Sequence, residues 1–516
     1  MFTLSIPKSS FFIFFILYLI AGYYLAFNLQ IYHNDAISRT ANAFFTVFGR
    51  DPHLAAIGFV WQPLPSLLQI PLLLILRPFG LGMLAGPLVT SILGASSVAV
   101  IYKISELLNK DIHPVWSLLI AFLYGLNPAI FLYAAIGSSE TIFISSLLFF
   151  SYFFIKWYLR HNQINLILSG FFLATAFGSR YESIPVFLAC IVILACIEKL
   201  RKSSLSRIEG TVIEFCLPFI YTVSMWIFAN WLIKGDPFYF MNSVYSNGSF
   251  TAVLKTNPQA MEYSYHSIGG SILYVLKRTL LVAPIMVALP FVLFLLGKKF
   301  KNDKKDIFTF IILTIPYFSI LAFHAFQLFK GDSLGWLRFY IYATVGGTLM
   351  AIYLVGKHRV LKFIMVLFLI IGMFTTSYAL SQPNYGKEEV SFFEAIVYES
   401  KDLDFSRTYA DQKRVSALMN STKGKILLDT NKGFAIPLFA NDPSRYVITS
   451  DIDYEKIVRK YSYVDWIIIE KPSPEGGLLN QIYKYYPRIW DGNAPSLTLY
   501  KQIDNWRIFK VEKPSL

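Results

Sequence analysis

The sequence predicts a polytopic α-helical membrane protein that ends in a soluble, extracytoplasmic α/β domain. Three observations predict it. Of its 516 residues, 55% are hydrophobic and only 15% charged, whereas a soluble chain carries about a quarter charged residues. Apolar runs long enough to cross a bilayer recur through the first 380 residues. From about Ser381 the texture changes to short strand-like and helix-like runs broken by Gly, Pro, Asn and Asp.

Eleven runs have spanning length: 11–28, 86–103, 114–135, 141–158, 163–179, 183–199, 211–233, 279–297, 307–328, 337–356 and 361–379. The N-terminal run follows Lys8 with no small-residue cleavage site after it, so it reads as a retained helix and not as a signal peptide. Sidedness follows from the loops. With a cytoplasmic N-terminus the inner loops are "YKISELLNKDIH", "KWYLRHNQ", "EKLRKSSLSR", "GKKFKNDKKD" and "GKHRVLK", where Lys and Arg are concentrated. That is the positive-inside pattern, and it leaves the C-terminal domain outside. The same loops absorb the net charge of +14, which excludes a nucleic-acid reading. Trp61–Gly82 is apolar but holds Pro63, Pro65, Pro71 and Pro78. Proline breaks helices, so this stretch is expected to lie as short pieces along the outer surface, within a long first outer loop, 29–85.

The domain plan is therefore a membrane domain over 1–380 and a soluble domain over 381–516. In the latter, "GKILLDT", "RYVITS", "VDWIIIE", "SLTLYKQ" and "NWRIFKV" read as strands, and "EEVSFFEAIVYES" and "DYEKIVRKY" as helices. It has no glycine-rich phosphate loop, and its expected role is to support the membrane part or help receive an acceptor. Cys190, Cys196 and Cys216 lie in apolar runs and form no disulfide or metal pattern. Asn247 and Asn420 open outward sequons.

With sidedness assigned, charges collect at the outer rim. Asp35 and Arg39 follow the first run, His53 lies further along that loop, and Glu140 sits in "AAIGSSETIF". "GSRYES" adds Arg180, Tyr181 and Glu182, and "GWLRFYIY" adds Arg338 and Tyr340. Ionisable groups at membrane depth are costly and mark function. Plainer roles exist for each: a helix start for Asp35 and Glu140, an ion pair for Arg180 and Glu182, an aromatic belt for Arg338. His33 and His53 lack ligand spacing. Taken together the residues suit transfer of a sugar from a lipid phosphate. A phosphate leaving the anomeric carbon needs positive charge, and the acceptor hydroxyl needs a base. Asp35 is the natural base. Arg180, Arg338, Arg39 or a carboxylate-bound divalent cation would meet the phosphate. Direct attack would invert the anomeric centre.

In order along the chain, the acid after the first helix, "WQPLPSLLQIPLL", "GLNPAIFLYAAIGSSE", "FGSRYES", "WLIKGDPFYF" and "GWLRFYIYA" resemble the GT-C superfamily of polyprenyl-phosphate-sugar-dependent glycosyltransferases. The likeness is to the branch of protein O-mannosyltransferases and lipid A aminoarabinose transferases, and it covers about 10–380. It implies a GT-C-like fold, Asp35 as catalytic carboxylate with Glu140 as partner, a metal shared by the two, a polyprenyl-linked donor, and a protein, lipid or cell-envelope glycan acceptor. No nucleotide or redox cofactor is expected. The chain departs from the family at Asn34-Asp35, where many relatives have Asp-Glu, and at Trp61-Gln62-Pro63, where many have Lys-Pro-Pro. The lost lysine shifts the expected phosphate contacts to the arginines. A transporter or flippase is the main alternative, but no internal repeat appears and the polar groups sit at span ends, not mid-span. An oligosaccharide ligase or polymerase would differ mainly in its acceptor.

Overall fold

In the computed structural model, the described residues are 5–243, 245–246, 248–249, 251, 265–288, 304–357, 359–397, 409–472 and 480–512. The sequon at Asn247, the second half of the 279–297 run and the basic residues 298–301 lie outside them.

Among the described residues eight helices are long and apolar enough to cross a membrane, or nine if one bent pair counts as a span. The longer helices of the first 380 residues are α1 Ile6–Tyr23, α2 Asn34–Phe48, α3 Ala85–Leu108, α4 Pro114–Gly125, α5 Pro128–Ala135, α6 Ser139–Arg160, α7 Gln163–Phe177, α8 Ser183–Leu200, α9 Leu205–Lys234, α10 Ile268–Val282, α11 Lys304–Lys330, α12 Tyr342–Val355 and α13 Arg359–Leu380. Of these, α2 is the outer-loop helix that follows the first span. Of the eleven expected runs, 279–297 lies partly outside the described residues, and two others differ for local physical reasons. Pro128 starts a new helix with Asn127 as its cap, so the 114–135 run bends by 63° between α4 and α5. The 163–179 run yields only fifteen helical residues in α7. The proline-rich stretch forms short pieces, Leu64–Leu67, Ile70–Leu76 and Arg77–Phe79, before α3.

The bundle is close-packed through small residues. Gly22 of α1 faces Ala135 and Pro87, and Gly94 of α3 faces Ala134 and Tyr18, as expected where backbones must approach. One end of the bundle is tied by Asn109 Nδ2 donating to the Ile352 carbonyl at 2.7 Å and by the Lys357–Asp306 ion pair at 2.5 Å. The opposite end gathers the segments that follow α1, α5, α7, α11 and α13. The C-terminal domain packs on that same end.

The domain opens with α14 Lys387–Val397 and α15 Ala410–Asn420. Its strands are β1 Ile426–Leu428, β2 Tyr446–Val447, β3 Trp466–Glu470, β4 Leu497–Ile503 and β5 Trp506–Val511, in sheet order β2-β1-β3-β5-β4. The first three are mutually parallel, and β5 and β4 are antiparallel. Side chains alternate in period two. Leu427, Ile467 and Phe509 face one core, which is covered by helix Tyr454–Arg459. Ile426, Leu428, Ile468 and Ile508 face another, which they share with Ile37, Ala41, Phe44 and Phe45 of α2. One face of the sheet therefore shares its core, together with helix Ala435–Leu438, with the helix that carries Asp35.

Candidate active site

Asp35 sits in the first turn of α2, where a carboxylate is favoured by the positive end of the helix dipole. Glu140 holds the same place on α6, whose first turn is capped by Ser138 Oγ accepting the Glu140 N–H at 3.3 Å. The turn before it requires Gly137, which has φ +83° and whose missing Cβ would lie 2.9 Å from the Gly86 backbone. Arg180 and Glu182 lie in the turn between α7 and α8, and Arg338 in the short 3₁₀ turn Leu337–Phe339 before α12.

These four segments meet. Arg338 Nη1 lies 2.5 Å from Asp35 Oδ2, and its guanidinium stacks over Trp336 at 4.4 Å. Arg180 Nη1 donates to Glu140 Oε1 at 2.6 Å, while its Nε and Nη2 fork onto Glu182 Oε1 at 3.0 and 2.8 Å. Ser138 and Ser139 donate to the other Glu140 oxygen. Glu140 is fully buried, whereas the Asp35 side chain keeps 42% of its surface exposed. Burial works to raise the Asp35 carboxyl, but Arg338, then His33, Arg39 and Arg180, hold it well below the usual carboxylate range. Glu182 is likewise held down, by Arg180 against the effect of burial.

Arg39 projects from α2 over Trp61 at 5.7 Å. It is buried, its Nε has no hydrogen-bond partner, and among the described residues it forms no ion pair. Arg338 Nε is also buried without a partner. Beside Trp61, both polar atoms of the buried Gln62 amide lack partners. Guanidinium and amide donors left open in a buried setting carry a desolvation cost that an anionic or hydroxyl-rich ligand would relieve.

The remaining candidates divide. Tyr181 is a structural tie: its hydroxyl donates to the Val60 carbonyl at 3.2 Å, accepts from Trp226 Nε1 at 3.1 Å, and its ring stacks on Phe240. Tyr340 is buried behind Arg338, 5.7 Å from His324 ring to ring, with its hydroxyl unpartnered. His53 is not drawn into the cluster. Its Nδ1 contacts the Asp51 carbonyl at 2.5 Å, and Asp51 in turn accepts the Ile452 N–H at the seam with the C-terminal domain. His33 is engaged by carboxylates from beyond the last span: its Nε2 is 3.3 Å from Glu388 and 3.9 Å from Glu389. Tyr133 donates to Glu389 at 2.6 Å. Sequence reasoning missed Glu388, Glu389 and Tyr133. The acidic pair in "KEEV" was visible, but its partners lie more than 250 residues away.

The donor set does not fit a metal. Asp35 and Glu140 are each in contact with a guanidinium, and among the described residues no group of three or more His, Cys, Asp or Glu converges where an ion would be held.

Comparison with known proteins bears on this arrangement. Residues 67–226 match the model of the dolichyl-phosphate-mannose-protein mannosyltransferase family, a stretch that holds Glu140 and Arg180 but neither Asp35 nor Arg338. ArnT from Cupriavidus metallidurans bound to undecaprenyl phosphate superposes with a TM-score of 0.56 at 9% identity, over 98% of this chain and 99% of that one. The chain has the GT-C fold. The apo form of the same ArnT superposes at 0.51 over the same shares of both chains, again at 9% identity. A search of curated proteins found no match. Within this GT-C fold the charge cluster occupies the bundle end that carries the C-terminal domain.

Proposed function

We propose that the protein is an integral membrane glycosyltransferase that moves a sugar from a polyprenyl-phosphate donor to an acceptor hydroxyl on the extracytoplasmic face. The observation that carries the reading is the set of three arginines and three carboxylates where the spanning helices end, largely buried but with Asp35 open to solvent. Its placement suits a donor whose tail lies in lipid and whose phosphate lies at the rim. The likeness in fold to a protein solved with undecaprenyl phosphate supports a donor of that class.

In the resting protein Arg338 neutralises Asp35, and a carboxylate held so firmly ionised is a weak base. A donor phosphate that engages Arg338, with Arg39 and Arg180 beside it, competes for that guanidinium and frees Asp35. The acceptor oxygen then attacks the anomeric carbon and gives its proton to Asp35. The bond from that carbon to the phosphate oxygen breaks, and the electron pair leaves with the phosphate. The arginines stabilise the departing charge. Attack from the face opposite the phosphate inverts the centre. Glu140 holds Arg180 in place through its 2.6 Å contact. Since the carboxylates are already met by guanidinium groups, no step is routed through a metal. The acceptor is a protein, a lipid or a cell-envelope glycan, and the protein resides in the cell membrane with its N-terminus inside.

Mass spectrometry of envelope glycans and glycoproteins tests this in cells carrying the wild type, no copy, or Asp35→Asn. A sugar modification present only with the wild type is expected. Identical profiles in all three would refute the reading.

A further inference from the structure

Asp35 and Glu140 pair with different arginines, and the His33 and Tyr133 rings on the two segments that carry them meet only edge to face at 6.1 Å, so a further contact is needed to set their relative position. Asp35 is carried by the segment that enters α2 and Glu140 by the turn between α5 and α6. Glu389 of α14 reaches both. It is buried, it accepts a 2.6 Å hydrogen bond from Tyr133 of α5, and it lies 3.9 Å from Nε2 of His33, the residue that precedes α2. Tyr133 is seven positions before Glu140, and His33 two before Asp35.

The same region fastens α2 further. Glu388 accepts the Asn34 N–H at 2.9 Å, and Tyr409 Oη donates to Asn34 Oδ1 at 2.5 Å. At the other end of α2, Arg50 binds Asp451 at 2.9 Å and also Asp453. The helix is thus held at both ends and along its apolar face by chain that follows the last span. We propose that Glu389 is a positioning residue, which through Tyr133 and His33 sets the Asp35 segment against the Glu140 turn, and that the C-terminal domain serves as the frame that seats α2. This rests on the glycosyltransferase reading above.

A displacement of about 1 Å at a reacting group costs on the order of 100-fold in rate, which sets the expected size. The test uses purified full-length Glu389→Gln and Tyr133→Phe, the latter removing one oxygen and serving alone if the former fails to fold. Each is expected to lower kcat by about 100-fold, with donor KM and the binding of a polyprenyl monophosphate unchanged, because the arginines are untouched. The double variant should be no slower than the slower single one, the mark of a shared pathway. Wild-type kcat in both single variants would overturn the proposal, and so would a loss of monophosphate binding that matches the loss of rate. Asp35→Asn is run alongside. If it is fully active, the base assignment fails; if it is inactive while Glu389→Gln and Tyr133→Phe are normal, only the positioning proposal fails.

Discussion

A charged side chain sealed inside a membrane protein must find a partner or a ligand, and Glu140 and Arg39 show the two outcomes. Glu140 is enclosed by Arg180, Ser138 and Ser139. Arg39 lies over the face of Trp61 and, among the described residues, forms no ion pair. Removing Arg180 would leave Glu140 buried without its cation, and breaking such a pair costs about 3–5 kcal/mol. Arg180→Leu is therefore expected to lower the unfolding midpoint in a detergent thermal melt well below that of Arg39→Leu, which abandons no carboxylate contact. His33 gives a pH signature. Burial alone pushes its imidazole down, but the charge of Glu388, the hydrogen bond to Glu389 and the Glu389 charge outweigh this and raise it to about 9. A histidine whose folded value is raised stabilises fully below its unfolded value, about 6.5. That contribution is lost as pH rises through 9. The stability gap between wild type and His33→Gln, read as the difference in melting midpoint, should be widest below about pH 6.5 and close on the alkaline side. A gap independent of pH would show that His33 is neutral. At this scale the sequence disclosed which residues were out of place in an apolar context, Asp35, Glu140, Arg180 and Arg338 among them. It could not disclose pairings across hundreds of residues, so Glu388, Glu389 and Tyr133 were not singled out.

Helices in this bundle are positioned by absent side chains as much as by present ones. A Cβ on Gly22 would come within 2.5 Å of the Ala135 carbonyl oxygen and 3.0 Å of Pro87. A backbone atom has nowhere to go, so Gly22→Ala is expected to push α1 away from α5, at about 1–3 kcal/mol. The strain would fall between the helix leading to Asp35 and the one leading to Glu140. A lowered melting midpoint together with slower transfer is the expected result. An unchanged midpoint would mean that the helices yield. Element identity was largely legible, because apolar length marks a span and period-two alternation marks a strand. All five strand-like runs of the C-terminal portion became strands of one sheet. What escaped was the bend at Asn127-Pro128 and the shortness of α7, both set by local capping and packing and not by hydropathy.

At the scale of the whole molecule, every charged turn of the site shares one end of the bundle with the C-terminal sheet, and the positive-inside pattern would place that end outside the cell. In intact cells, an impermeant thiol reagent should label Lys484→Cys in that domain and spare Lys110→Cys at the opposite end. Equal labelling of both would reverse or dissolve the assigned topology. The seating of the sheet on α2 was not legible in advance, since the apolar face of an amphipathic helix does not say which partner will cover it. The most direct measurement is single-turnover release of polyprenyl phosphate from a polyprenyl-phosphate-hexose or -pentose donor by the purified protein with its acceptor extract. The wild type is expected to release it, and Asp35→Asn to do so at least about 100-fold more slowly. Release at the same rate by both proteins would contradict the account.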